Sequence, residues 1–286
     1  MPRTVHVVTD STASLTDAVA QEWDITVVPL QVIMGAKDYA EGIDVFPADI
    51  AAALREFTPV NTSRPSPETF ARAYAAAAAS GASAVVSVHL SAEMSGTFDS
   101  ATTAARGADV EVHCVDTRQV GMGTGFAALT AAALADAGAG AEEVATAARR
   151  RGEGSAAYFY VDTLEYLRRG GRVGAAAALV GSALAVKPLL GLRAGTITSL
   201  EKVRTSAKAL SRLEDLAVAK AEQAEHGVDV AVQHLGNQDR ATSVAAHLIE
   251  RLGLDDVPVS EVGAVIGAHV GPGMLAVTIS PRLDRG

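Results

Sequence analysis

A single cysteine, Cys114, stands in a chain of 286 residues, so no intramolecular disulfide forms, and the paired Cys and His spacings of a structural zinc site are missing. Cys114 is expected to behave as a small buried hydrophobe. Basic charge is also short, with 24 Lys and Arg against 33 Asp and Glu for a net charge of −9. Nucleic-acid binding draws its affinity from Lys and Arg neutralising phosphates, so no nucleic-acid partner is expected. No run of about 18 apolar residues suggests a membrane-spanning helix. The start MPRTVHVVTD enters a strand pattern directly, without the basic and apolar regions of an export signal. A cytoplasmic protein with no stable membrane insertion is the expectation. The phosphate loop GxxxxGK[ST], the zinc motif HExxH and the nucleophile elbow GxSxG do not occur. In "GMGTG", Gly121, Gly123 and Gly125 miss the dinucleotide fingerprint because the third glycine comes one residue early, and close helix packing explains them more simply. Neither a metal nor a cofactor is expected.

What is present is apolar surface: 49% of residues are hydrophobic and 20% charged, enough to form packed cores and to exclude wholesale disorder. At this length two domains of about 130 to 150 residues are expected. In the first half, strand patterns at Val5–Val8, Ile25–Gln31, Ala84–His89 and Val110–Val115 alternate with helical patterns near 15–21, 67–79, 96–106 and 124–137. That alternation predicts an α/β domain with a mainly parallel sheet and crossover helices over residues 1–153. The second domain is expected over 154–286. There "VKPLLGLRAGTITSLEKV" reads as a hairpin turning at Arg193–Gly195. Helices near 206–226 and 239–252 and strands at Val228–Leu235, Val257–Val262 and Leu275–Ile279 complete an α/β domain with a mixed, partly antiparallel sheet.

Four segments carry candidate chemistry. In "VHLSAEMSGTFDSA" a strand runs into a helix, with Ser95 as the N-cap and the Gly96 and Thr97 amides just inside. Ser95 either caps its own helix or joins those amides in an anion site. "NTSRPSPETF" puts Thr62 and Ser63 in a loop before another helix, where they either order the turn or face a ligand beyond the strand ends. "VIGAHVGPGMLAV" isolates His269 in a glycine-rich loop, as a structural histidine or as a donor to a carboxylate. The fourth segment has a short helix stopped by Gly170–Gly171, then the uncharged stretch Val173–Val186, which is core or the lining of an oily pocket. Its basic group, Arg168, Arg169 and Arg172 with Lys202 and Arg204 further on, reads as a solvated face.

Taken in order, seven motifs resemble the DegV family, the fatty-acid-binding subunits of bacterial fatty acid kinase systems. They are "VTDSTASL" at 8–15, "TSRPSP" at 62–67, "LSAEMSGTFDSA" at 90–101, "DTLEYLRRGGRV" at 162–173, "KPLLGLRAGTI" at 187–197, "EKVRTSAKAL" at 201–210 and "GAHVGPG" at 267–273. Arg64 departs from the family's usual Gln. The resemblance implies two α/β domains with an acyl chain between them and a carboxylate held by Thr62 and Ser95, with Ser63 and Gly96 beside them and His269 completing the polar end. It further implies that Arg172 and Arg204 face a kinase partner, which makes the acyl-phosphate that enters phospholipid synthesis, so that this chain is itself no enzyme. Two other readings stay open: a serine-dependent acyl hydrolase or transferase using Ser95 and His269, and a lipid-sensing regulatory protein.

Overall fold

The computed structural model describes residues 4–179 and 187–284. Its first elements are β1 (Val5–Asp10), α1 (Asp17–Glu22), β2 (Ile25–Val28), β3 (Gln31–Met34), β4 (Lys37–Ala40), α2 (Pro47–Arg55) and β5 (Val60–Ser63). Next come α3 (Pro67–Ala79), β6 (Ala84–His89), α4 (Thr97–Ala105), β7 (Glu111–Asp116), α5 (Met122–Asp136) and α6 (Ala141–Gly154). The remainder is β8 (Ala156–Tyr160), α7 (Glu165–Arg169), β9 (Lys187–Arg193), β10 (Thr196–Val203), α8 (Ser206–Ala221), β11 (Val228–His234), α9 (Gln238–Leu252), β12 (Val259–Glu261), α10 (Ala264–Val270) and β13 (Leu275–Pro281).

Two compact units result, Met1–Gln31 with Ser63–Gly154, and Val32–Thr62 with Ser155–Gly286. The segment 32–62, read from the sequence as part of the amino-terminal domain, groups with the second unit instead. The expected single strand Ile25–Gln31 breaks at Pro29, which has no N–H for a ladder. The Leu30 amide turns aside to Ser11 Oγ at 2.9 Å, and β3 then starts a separate sheet.

The first unit has a fully parallel sheet in the order β2-β1-β6-β7. Its central strands β1 and β6 are buried on both faces, as parallel strands with crossover helices must be, while the edge strands β2 and β7 are partly exposed. Val7, Val86 and Val88 pack with Ala128, Ala131 and Ala145 of α5 and α6, whereas Val8 and Val85 pack with Phe70, Tyr74 and Ala101 of α3 and α4. Alanine-rich helices sit close because little side chain intervenes. A Cβ on Gly125 would lie 2.5 Å from the Ala13 carbonyl, so that glycine of "GMGTG" serves packing as expected. Ser66 is the N-cap of α3 and Pro67 its first residue.

The second unit has a mixed sheet in the order β10-β9-β8-β13-β11-β12, antiparallel except for β11 with β12. The β9–β10 hairpin turns where expected, with both Ala194 (φ 50°) and Gly195 (φ 82°) left-handed, the backbone that matches strand twist. Leu213 and Ala217 of α8 and Val244 and Leu248 of α9 share one core with Val230, Val277 and Ile279. The segment 32–62 adds α2 and a small sheet in the order β4-β3-β5. Of the apolar stretch Val173–Val186, Gly174–Leu179 forms a short 3-10 helix with Ala176 buried, and residues 180–186 lie outside the described residues. No helix among the described residues is long and apolar enough to cross a membrane.

Candidate functional site

Thr62 and His269, 207 residues apart in sequence, meet within the second unit, where Thr62 Oγ1 lies 2.9 Å from His269 Nε2. Neither sits in the loop read for it. Thr62 is on β5, whose exposure alternates residue by residue, a strand pattern hidden because Asn61, Thr62 and Ser63 are turn-forming types. His269 is in the last turn of α10, which begins after Gly263 and stops at Gly271 (φ +75°). Burial of Ala264, Val265, Ala268 and Val270 outweighs the poor helix propensity of the glycine at 267.

Gly170 lies directly on the His269 ring: a Cβ there would overlap Nδ1 and sit 2.6 Å from Cε1. The Gly170 carbonyl accepts from Arg172 Nη1 at 2.6 Å. Burial, reinforced by the Arg172 charge, pushes the His269 pKa down to about 4, so the imidazole is neutral near neutral pH. Nδ1 is buried without a hydrogen-bond partner among the described residues. Because a buried N–H left alone is rarer than an empty acceptor, this favours the proton on Nε2. Nε2–H then donates to Thr62 Oγ1, and the threonine O–H is left to donate elsewhere.

A pH prediction follows from this burial. The folded His269 binds its proton below the ordinary 6.5, so the stability it contributes is present above 6.5 and fades as pH falls toward 4. In an NMR titration the ring is expected to stay neutral to about pH 4; a midpoint of 6 or higher would contradict the described burial.

Arg172 is half-buried and Arg204, just beyond β10, is exposed. Arg168 and Arg169 are exposed, as the solvated-face reading has them, and both pair with Glu165, at 2.7 and 2.8 Å. In the first unit, Ser95 stands one residue before the position expected of it. Gly96 is the N-cap of α4 and Thr97 its first residue, while Ser95 Oγ accepts from the Thr97 amide at 3.3 Å and shares a 2.8 Å hydrogen bond with Thr97 Oγ1. Arg64 crosses the cap: Nη1 donates to the Gly96 carbonyl at 3.5 Å, and a Cβ on Gly96 would lie 2.9 Å from Arg64 Cδ. Ser63 is exposed, its hydroxyl donating to the Arg64 carbonyl at 3.4 Å.

The sequence reading singled out neither Asp10 nor His89. Ser87 Oγ is 2.7 Å from His89 Nε2, and His89 Nδ1 is 3.0 Å from Asp10 Oδ2. That is the connectivity of a catalytic triad, but all three residues are 0% exposed, which leaves no approach for a substrate to Ser87. The set clamps the ends of β1 and β6. Its one signal in the sequence is an aspartate closing the valine-rich strand VHVVTD. At His269, a serine hydrolase using Ser95 would need a carboxylate orienting Nδ1, the atom that has no hydrogen-bond partner among the described residues. Among the described residues, no group of three or more His, Cys, Asp and Glu could hold a metal ion.

Residues 4–282 match the profile of a family described as uncharacterised proteins, the DegV family. The chain belongs to the DegV family. A DegV domain-containing protein of Streptomyces coelicolor is 54% identical over 283 residues, covering 99% of this chain and 100% of that one. Among solved structures, a fatty-acid-binding DegV family protein from Thermus thermophilus is similar at a TM-score of 0.92 with 32% identity, covering 98% of this chain and 100% of the other. DegV from Bacillus subtilis, described as a fatty acid binding protein, is similar at a TM-score of 0.90 with 32% identity over the same shares. The α/β fold with one parallel and one mixed sheet is thus that of DegV proteins.

Proposed function

We propose that this DegV protein binds a long-chain fatty acid and presents its carboxylate to a separate kinase, which forms the acyl-phosphate that enters phospholipid synthesis. The Thr62–His269 pair carries the reading. A hydroxyl whose lone pair is taken by an imidazole N–H has its own hydrogen free for an anion, and a buried carboxylate requires such donors. The relatives from T. thermophilus and B. subtilis described as fatty acid binding support the ligand class. The energetics agree. Burying about 15 methylenes at roughly 0.8 kcal/mol each gives on the order of 12 kcal/mol, well above an association cost of several kcal/mol.

Ser95 and Gly96 of the first unit, with Ser63, join Thr62 and His269 in the proposal through the family resemblance, and the positive end of the α4 dipole suits an anion. Arg204, exposed, and Arg172, beside Gly170, are assigned to the kinase-facing surface. The reading carries with it a cytoplasmic location and no cofactor.

Titration with palmitate tests the assignment. Thr62→Ala or Ser95→Ala should weaken binding by about 1 to 3 kcal/mol, the cost of a buried group losing its partner. Undiminished affinity in both variants would remove the carboxylate from these residues. Arg204→Ala should bind palmitate normally and slow phosphoryl transfer by the partner kinase; an unchanged rate would remove Arg204 from the kinase-facing surface.

A further inference from the structure

The helix that carries His269 is held at both ends by the small sheet of segment 32–62. At its C-terminal end, His269 meets Thr62 of β5. At its N-terminal end, the cap is Gly263, which has no side chain to satisfy the first amides. Glu41, the residue after β4, fills that role: Oε1 accepts from the Val265 amide at 2.7 Å, and the residue is 6% exposed. A Cβ on Gly263 would sit 3.1 Å from Glu41 Cδ, so the glycine admits the carboxylate and a larger residue would expel it. Midway, Gly267 lies between Leu235 and Ile50, whose carbons would be 3.2 and 3.6 Å from a Cβ there. The turn bearing Glu41 is itself stiff, with Gly42 N–H donating to the Val45 carbonyl at 3.0 Å and Asp44 Oδ2 accepting from the Ala40 amide at 3.0 Å.

β4 and β5 are the two outer strands of one sheet, with β3 between them. The spacing of Glu41 and Thr62 is therefore fixed by that sheet, and α10 spans from one to the other. We propose that Glu41 is the positioning residue of the carboxylate site, setting the height and rotation of α10 so that His269 Nε2 meets Thr62. The ligand part of this inference rests on the fatty acid reading; the part concerning the ring does not.

The test uses Glu41→Gln, Glu41→Ala and Glu41→Asp in the full chain, with ¹⁵N NMR of the His269 ring and palmitate titration. The Gln variant should keep the wild-type ring signals and bind within about twofold, because its amide oxygen accepts the same bond. The Ala variant should shift the Nε2 signal and weaken palmitate roughly tenfold, and that loss should vanish in a Thr62→Ala background, since both changes act through one contact. If the Ala variant does not fold, Glu41→Asp, one methylene short, carries the same test with a smaller shift. Unmoved ring signals, or an equal loss with Thr62 already removed, overturn the proposal and make Glu41 a support of stability alone. Should the wild type bind no palmitate, the fatty acid reading fails, and the ring signals still decide whether Glu41 positions His269.

Discussion

Asp10→Ala is expected to destabilise the first unit by about 3 to 5 kcal/mol, the cost of stripping a buried polar network of its central partner. Asp10 is 0% exposed and serves four donors. Oδ1 accepts from the Thr12 amide at 3.1 Å and from the Thr12 hydroxyl, while Oδ2 accepts from the Leu90 amide at 3.1 Å and bonds His89 Nδ1 at 3.0 Å. His89 passes the linkage to Ser87, which takes the Tyr74 hydroxyl at 2.9 Å. One carboxylate thus joins the ends of two neighbouring parallel strands to a helix on the sheet's face. Removing it leaves several buried groups unsatisfied at once, and with a total stability of about 5 to 15 kcal/mol such a loss brings the unit near its unfolding threshold. Trp23, the single tryptophan, lies in this unit, so urea unfolding followed by its fluorescence reads the effect. A loss under about 1 kcal/mol, the net worth of one ordinary hydrogen bond, would mean that the clamp does not hold the unit together.

The second large effect is expected at Gly170. Its backbone is ordinary right-handed helix (φ −74°, ψ −6°), so alanine meets no conformational strain there. The obstacle is steric: the new methyl would occupy the space of His269 Nδ1 and lie 2.6 Å from Cε1 and 3.3 Å from Cγ. The ring must swing away, and its 2.9 Å contact with Thr62 cannot survive. Gly170→Ala should therefore cost about 1 to 3 kcal/mol of stability through overpacking. It should also weaken palmitate binding at least about tenfold, a 1.4 kcal/mol loss at the site. Gly171→Ala is the matched control. That glycine is left-handed (φ +71°) with open space where a Cβ would point, so alanine there costs backbone strain of about 1 to 2 kcal/mol and should leave affinity alone. Equal losses of affinity in the two variants would show that the neighbourhood is merely sensitive, and that ring placement is not what matters.

Much of the scaffold was legible because its signals are local. The valine-rich runs around Val7 and Val86, the Ser66–Pro67 helix start and the Arg193–Gly195 turn each declare themselves within a few residues. The segment 32–62 did not, because β3, β4 and β5 are four residues each, too short to show a period, and which sheet they join depends on a break at Pro29. The candidate site was legible in part. Thr62 stood out as a hydroxyl just before a helix start, and Ser95 and His269 as polar residues beside glycines, but their local structure was misread. β5 is written in turn-forming residues, and α10 is held as a helix by partners from distant parts of the chain, Glu41 and Thr62. Asp10 went unseen for the same reason: beyond the local contact with Thr12, its donors at His89 and Leu90 reach it only once β1 and β6 pair. Long-range partners leave no periodicity in either segment.

Mass spectrometry of the purified full chain after denaturation tests the central claim most directly. The account predicts a long-chain fatty acid released in roughly equal amount to the protein, and a clear reduction in Thr62→Ala. A wild-type chain that is repeatedly empty and takes up no added palmitate would contradict it.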